Sequence, residues 1–376
     1  MWRRWFTVVS RLFSATGQRR RTGRWATPVA FVLLGFCFLW TGTIADSNTQ
    51  RQQVLRVLAW PGYADDDWVQ AFEKRFHAKV EVTFVDSDEA LWARMHSAAP
   101  PPFDVLAANT AEIERYARAG MLAPLDLARI PNRRWQQPYF RRLTDIRGLV
   151  HDGHAYAIPF TYSSMGLIYD RRQVPVAPHS MRVMWDPQYR GKVLDFNSAQ
   201  HNFSFAALAL GYADPFHLAP EQMRTVAREL VGLRRNLLTY YTLPEEATEL
   251  FVQHRAALMF GNYGTQQIEQ LRKAGADVGY VIPDEGVLAW LDCWAITRNA
   301  GNPSLAYEWL DAMQEPAIGK QLTQRQGLAN TMTVVPGEAS RSGPNLVWLQ
   351  SVESIDQREA LWQRIESGDQ LETFAP

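Results

Sequence analysis

The chain has 376 residues, 47% of them apolar, enough for one large or two medium globular units with their own cores, which excludes a disordered polymer. Basic and acidic residues balance at 39 each, but seven arginines, from Arg3 to Arg24, fall in residues 1–45, where there is no acid. The remainder holds 32 basic against 39 acidic residues, a net of −7, and so lacks the basic face that nucleic acid demands.

In chain order, residues 1–24 form a basic cytoplasmic leader. Trp25 to Ala45 is uncharged and matches the roughly 20 helical residues needed to cross a bilayer. The arginines before it keep the N-terminus cytoplasmic, so that the chain after Asp46 is exported to the periplasm. The run is long for a signal peptide, which favours a retained anchor in the inner membrane, while Thr43-Ile44-Ala45 offers the small residues of a cleavage site. The two cysteines, Cys37 and Cys293, fall on opposite sides of this boundary, so burial rather than a disulfide must stabilise the exported part.

Residues 46–53 are a polar linker. From Val54, short apolar runs alternate with segments of helical periodicity, the pattern of an α/β fold with mostly parallel strands. Strands are expected at 54–59, 80–85, 103–107, 156–160, 166–169, 192–195, 256–260, 278–282 and 287–295. Helices are expected at 66–76, 89–98, 111–119, 203–210, 220–233, 246–253, 265–274, 303–314 and 317–324. Asp65, Asp66 and Asp67 stand where the first helix begins and read as capping residues. Leu361, Trp362 and Ile365 suit a terminal helix on the first lobe.

Two segments are the most specific. One is His151-Asp152-Gly153-His154-Ala155-Tyr156-Ala157-Ile158-Pro159-Phe160, followed by Thr161-Tyr162-Ser163-Ser164. The other is Trp185-Asp186-Pro187-Gln188-Tyr189-Arg190-Gly191-Lys192-Val193. In this order they resemble the crossover strand and the second-lobe turn of type II periplasmic binding proteins. The likeness to the spermidine/putrescine-binding branch runs from about Val54 to about Val335. It is carried further by Trp60-Pro61-Gly62-Tyr63, by Phe103 to Thr110, and by Trp290-Leu291-Asp292-Cys293-Trp294-Ala295-Ile296.

This resemblance implies two lobes joined by a hinge near Tyr162 and Val287, lobe 1 comprising 54–160 and 287–376 and lobe 2 comprising 161–286. It further implies a small amine-type ligand held between them. Asp292 is then the charge anchor and Trp290 its aromatic companion, since a partly buried carboxylate pairs with an ammonium while a ring face covers its methylenes. Trp60, Tyr63, Asn109, Thr110, Tyr162, Tyr263 and Asn330 are the further contacts implied. Where the family places acids after the Gly-Lys strand, Ser198 and His201 stand instead, and family cleft aromatics fall on Ala111 and Gly261. These departures fit a ligand with one amine and a polar far end better than a long polyamine, whose unmatched charge is costly in a closed cleft.

The listener to such a protein is an ABC-type permease, for import, or a membrane sensor. Other chemistries are weaker. His151 and His154 sit in a plain turn, and Tyr240-Tyr241, similar to the tyrosine pair of ferric-ion-binding relatives, lies in a different segment. Cys293, the candidate nucleophile of an enzyme on this fold, alternates away from Asp292 along its strand. No P-loop, dinucleotide fingerprint or nucleophile elbow occurs, so neither a cofactor nor catalysis is expected.

Overall fold

Apolar alternation from Val54 onward becomes strands wherever both faces can be covered. A computed structural model describes residues 53–97, 102–333 and 346–368. The strands are β1 (Gln53–Ala59), β2 (Ala78–Phe84), β3 (Val105–Asn109), β4 (Val150–His151), β5 (His154–Ala155), β6 (Ala157–Ser164) and β7 (Leu167–Asp170). They continue as β8 (Val193–Phe196), β9 (Leu237–Tyr241), β10 (Leu258–Phe260), β11 (Val278–Val281), β12 (Val287–Ile296), β13 (Ala329–Asn330) and β14 (Leu346–Trp348). The helices are α1 (Asp66–Phe76), α2 (Asp88–Met95), α3 (Thr110–Arg118), α4 (Pro138–Arg141), α5 (Ala199–Ala209) and α6 (Pro220–Arg234). After these come α7 (Pro244–Gln253), α8 (Thr265–Lys273), α9 (Pro303–Ala312), α10 (Pro316–Gln326) and α11 (Ile355–Ser367).

Among the described residues, one sheet runs β13-β6-β12-β3-β1-β2 with β14 also paired to β12, and a second runs β11-β7-β10-β8-β9. These sheets are the cores of two lobes. They are mixed, as expected, but parallel pairings do not predominate. β1, β2 and β3 are parallel, as are β8, β9 and β10, but β12 is antiparallel to both β3 and β6, and β7 to β10 and β11. The reason is topological: the chain leaves the first lobe along β6 and re-enters along β12, and lying side by side these two must run in opposite directions. All ten residues of β12 are buried, because α9 and the aromatic cluster of Phe160, Trp294 and Trp309 cover it.

The lobe crossings lie at residues 164–167 and 281–287, beside Tyr162 and Val287; Tyr162 itself is near the end of β6, close to Phe140 and Trp348. Tyr280 ties the two crossings together, its hydroxyl meeting Ser164 Oγ at 2.6 Å and accepting from the Gly166 amide at 2.9 Å. A third crossing follows β14, and it overturns the expected place of the terminal helix. α11 packs on α5 and α6 of the second lobe, not on the first. Its fully buried Arg358 donates to Ser204 Oγ at 2.7 Å and to the Pro215 and Phe216 carbonyls, and pairs with Glu353 at 2.8 Å. Trp362 donates to Asn197 Oδ1 at 2.9 Å.

No helix among the described residues is long and apolar enough to cross a membrane, and the segment 25–45 expected to do so lies outside them.

Candidate functional site

The cleft is built from turns that follow strand ends. Trp60-Pro61-Gly62-Tyr63 forms a tight turn after β1, with the Tyr63 amide donating to Trp60 O at 3.1 Å and Gly62 at φ 85°, the left-handed value that a type II turn requires at its third position. The turn delivers the Tyr63 hydroxyl to Asp292 Oδ2 at 2.6 Å. A bulge in the β6–β12 ladder lies beside Asp292: Asp292 pairs with Thr161 but Cys293 with Pro159, which leaves Phe160 as the extra residue. Bulges tolerate proline and re-aim neighbouring side chains, and here the ladder breaks where the anchor leaves the strand.

Asp292 is 7% exposed, and burial pushes its carboxyl up to about 7, against the lowering effect of the Tyr63 hydrogen bond. Directly opposite it on β3 stands Asn109. Asn109 Oδ1 accepts from the Ala111 and Glu112 amides and so caps α3, which turns its Nδ2 toward Asp88 Oδ1 and Oδ2 at 3.0 and 2.9 Å. Desolvation, followed by repulsion from Glu112, Glu89 and Asp292, holds the Asp88 carboxyl well above the usual carboxylate range.

Apart from Glu245, the second lobe supplies neutral groups. Ser198 caps α5 by accepting from the His201 amide. His201 stacks on Phe196, and burial drives its imidazole down to about 4 despite the opposing bond from Nδ1 to Asn262 Oδ1 at 3.1 Å. It is therefore uncharged at neutral pH, with Nδ1 protonated and Nε2 left as an acceptor. Tyr263 donates to Thr242 O at 2.6 Å, and Trp290 spans the lobes by donating to Asn262 O at 2.9 Å.

Trp60, Tyr63, Asn109, Ser198, His201, Tyr263, Trp290 and Asp292 thus line one interlobe cleft of about 240 Å³. Three sequence candidates are placed elsewhere. Thr110 donates to Leu349 O at 2.8 Å, Asn330 is fully buried and bonded to Thr323 and Thr333, and Tyr162 packs at tilted and edge-on angles against Phe140 and Trp348 in the first lobe. Sequence reasoning missed Asp86, Asp88, Glu89 and Glu245, which also line the cleft. Asp88, Glu89 and Glu245 stand in the first turns of α2 and α7, and Asp86 just before the Ser87 cap, where helix capping is the ordinary explanation.

The weaker chemistries find other surroundings. Cys293 is fully buried, its thiol pushed up by burial, and does not line the cleft. Tyr241 is a core residue donating to Phe260 O at 2.5 Å, and Tyr240 packs against Trp362. His151 and His154 flank a hairpin turn in which Asp152 and Gly153 both have positive φ.

The family model for the bacterial extracellular solute-binding protein matches residues 67–345, most of the chain. The chain belongs to this family. Among relatives of this solute-binding protein, the spermidine/putrescine-binding periplasmic protein 1 of Haemophilus influenzae is 24% identical over 288 residues, 76% of each chain. The putrescine/agmatine-binding protein of Pseudomonas aeruginosa is 23% identical over 305 residues, 77% of this chain and 81% of that one. In structure it is similar to the spermidine/putrescine ABC transporter substrate-binding protein PotD from Streptococcus pneumoniae, with a TM-score of 0.68, 19% identity, and coverage of 84% of this chain and 99% of that one. It is also similar to the TpPotD lipoprotein of Treponema pallidum, with a TM-score of 0.70, 15% identity, and coverage of 83% and 99%. At these identities the structural likeness establishes the two-lobed α/β fold and no more.

Proposed function

We propose that this protein captures a small organic amine of the polyamine class in its interlobe cleft and presents it to an ABC-type permease for import. The carrying observation is charge. Asp86, Asp88, Glu89, Glu245 and Asp292 line the cleft, and among the described residues no lysine or arginine does. Aromatic faces from Trp60, Tyr63 and Trp290 stand beside them, suited to methylenes and to the cation itself. Relatives named for spermidine, putrescine and agmatine support the same class.

In this reading the protein works in the periplasm, and the apolar stretch 25–45 holds it to the inner membrane. A ligand that touches both lobes favours the closed arrangement, and the closed form is what the permease reads. The test is a thermal-shift titration of the purified protein against spermidine, putrescine, norspermidine, agmatine, single amines and ferric citrate, since a ligand that binds only the native state raises the midpoint with concentration. Stabilisation by amines supports the reading. A flat response to every amine, or a response to ferric citrate alone, refutes it.

A further inference from the structure

Asp88 is an ionisable group of the cleft that, among the described residues, makes no ion pair of its own, although Arg115 and Arg118 line the adjoining pocket. Among the described residues, its oxygens meet only the Asn109 amide nitrogen, which donates hydrogen bonds but carries no charge. Behind it Glu112 is buried and reaches its nearest cation, Arg115, only at 3.4 Å. On the other side of Asn109 lies Asp292, its partner across the β3–β12 ladder. Asp292 is more than nine-tenths buried and lines the cleft, yet among the described residues only its Oδ2 is bonded, to Tyr63, and Oδ1 has no partner. Two carboxylates thus flank one asparagine, both on the first lobe, and the Oδ1 of Asp292 is left unbonded. On the second lobe, Ser198 and the neutral His201 offer acceptors without charge.

We propose that Asp88 is the second cation anchor of the cleft, pairing with one end of a short α,ω-dication while Asp292 holds the other. The ligand class is a diamine or an aminoguanidine with a few methylenes between its charged ends. The inference rests on the amine reading above and goes beyond it by naming the residue that reads the second charge. A cation placed at each carboxylate removes their mutual repulsion, whereas a monoamine leaves one of them unpaired in a desolvated site. Both charges are then recognised on the first lobe, and the second lobe closes over the chain with Ser198, His201, Tyr263 and the Glu245 carboxylate.

The experiment is isothermal titration of the purified protein and its Asp88→Asn variant with putrescine, 1,3-diaminopropane, cadaverine, agmatine and butylamine. Asparagine can still accept from Asn109, and Asp88→Ser serves as a second variant should the first not fold. The parent is expected to bind putrescine at least about tenfold tighter than butylamine, and the variant to bring that ratio below about threefold, because only the diamine loses an ion pair. An undiminished ratio in both variants overturns the role of Asp88 while leaving the amine reading intact. Binding of neither putrescine nor butylamine by the parent overturns the amine reading itself.

Discussion

Replacing Asp292 with asparagine is expected to shift stability and affinity in opposite directions. The carboxyl rises from 3.8 to about 7, mainly through burial. At 1.36 kcal/mol per pKa unit, a rise of about three units means that ionising it in the empty folded protein costs on the order of 4 kcal/mol relative to the unfolded chain. Between those two pKa values the folded state holds more protons than the unfolded one. Stability therefore falls as pH rises through this window and levels off above about 7. Asparagine has no charge to desolvate, and its Oδ1 can still accept from Tyr63. Without ligand, the variant should match the parent near pH 4 and exceed it above pH 7 by up to about 4 kcal/mol in urea unfolding. Binding moves the other way. Loss of a charge-assisted pair in a closed cleft costs about 2–4 kcal/mol, roughly thirty- to several-hundred-fold in Kd. For the parent, amine affinity should rise with pH through about 7, since the carboxylate ionises there while an aliphatic amine stays protonated to about pH 10. Titration calorimetry with putrescine across that range, beside unfolding curves at each pH, reads both effects. A variant no more stable than the parent at pH 8, or one binding putrescine as tightly, refutes the assignment.

His201→Gln should leave this pH profile in place, because the imidazole is already neutral over the range; a profile abolished by the change would assign the transition to His201 instead. Arg358→Met removes one partner of a buried ion pair and strands several carbonyls, so urea unfolding should show a loss of about 3–5 kcal/mol; a loss under about 1 kcal/mol would mean α11 contributes little to the second lobe. Asn109→Ala deletes the α3 cap and should cost about 1–2 kcal/mol, measured the same way. At Gly261 a Cβ would lie 2.9 Å from Gly166 O and 3.1 Å from Ile168 Cδ1, so Gly261→Ala should lower stability by about 1–3 kcal/mol in thermal unfolding, and an unchanged midpoint would show that the two segments can separate.

Much of the fold was legible because each strand and helix announces itself through local periodicity. β12 was legible as the largely apolar run 287–295, and α6 as the helical spacing over 220–233, where Met223, Val226, Leu230 and Leu233 are indeed buried on one side. Strand direction was not legible in the same way. Nothing in the residues of β6 or β12 states that they run antiparallel; that follows from the chain leaving one lobe and returning beside its own exit. α11 shows the same limit. Its amphipathic pattern says that one face is buried, but only the partners of Arg358 and Trp362 decide against which lobe. β9 is short and follows α6 directly, and its run Leu237-Leu238-Thr239-Tyr240-Tyr241 lacks the alternation that marks the other strands; only its pairing with β8 defines it.

The charge of the cleft was hidden for a related reason. Asp86-Ser87-Asp88-Glu89 looks like an ordinary helix start, and Ser87 does cap α2 by accepting from the Ala90 amide. Capping and ligand binding use the same residues at the same positions, so no local pattern separates them. What separates them is Asn109: committed through Oδ1 to the cap of α3, it can present only its donor to Asp88, and an amide donor solvates a carboxylate without cancelling its charge. A capping aspartate facing bulk water would need no counterion. The half-buried Asp88, beside Glu112 and Asp292, ionises more readily when a cation arrives, and on the amine reading proposed above that would favour cationic solutes.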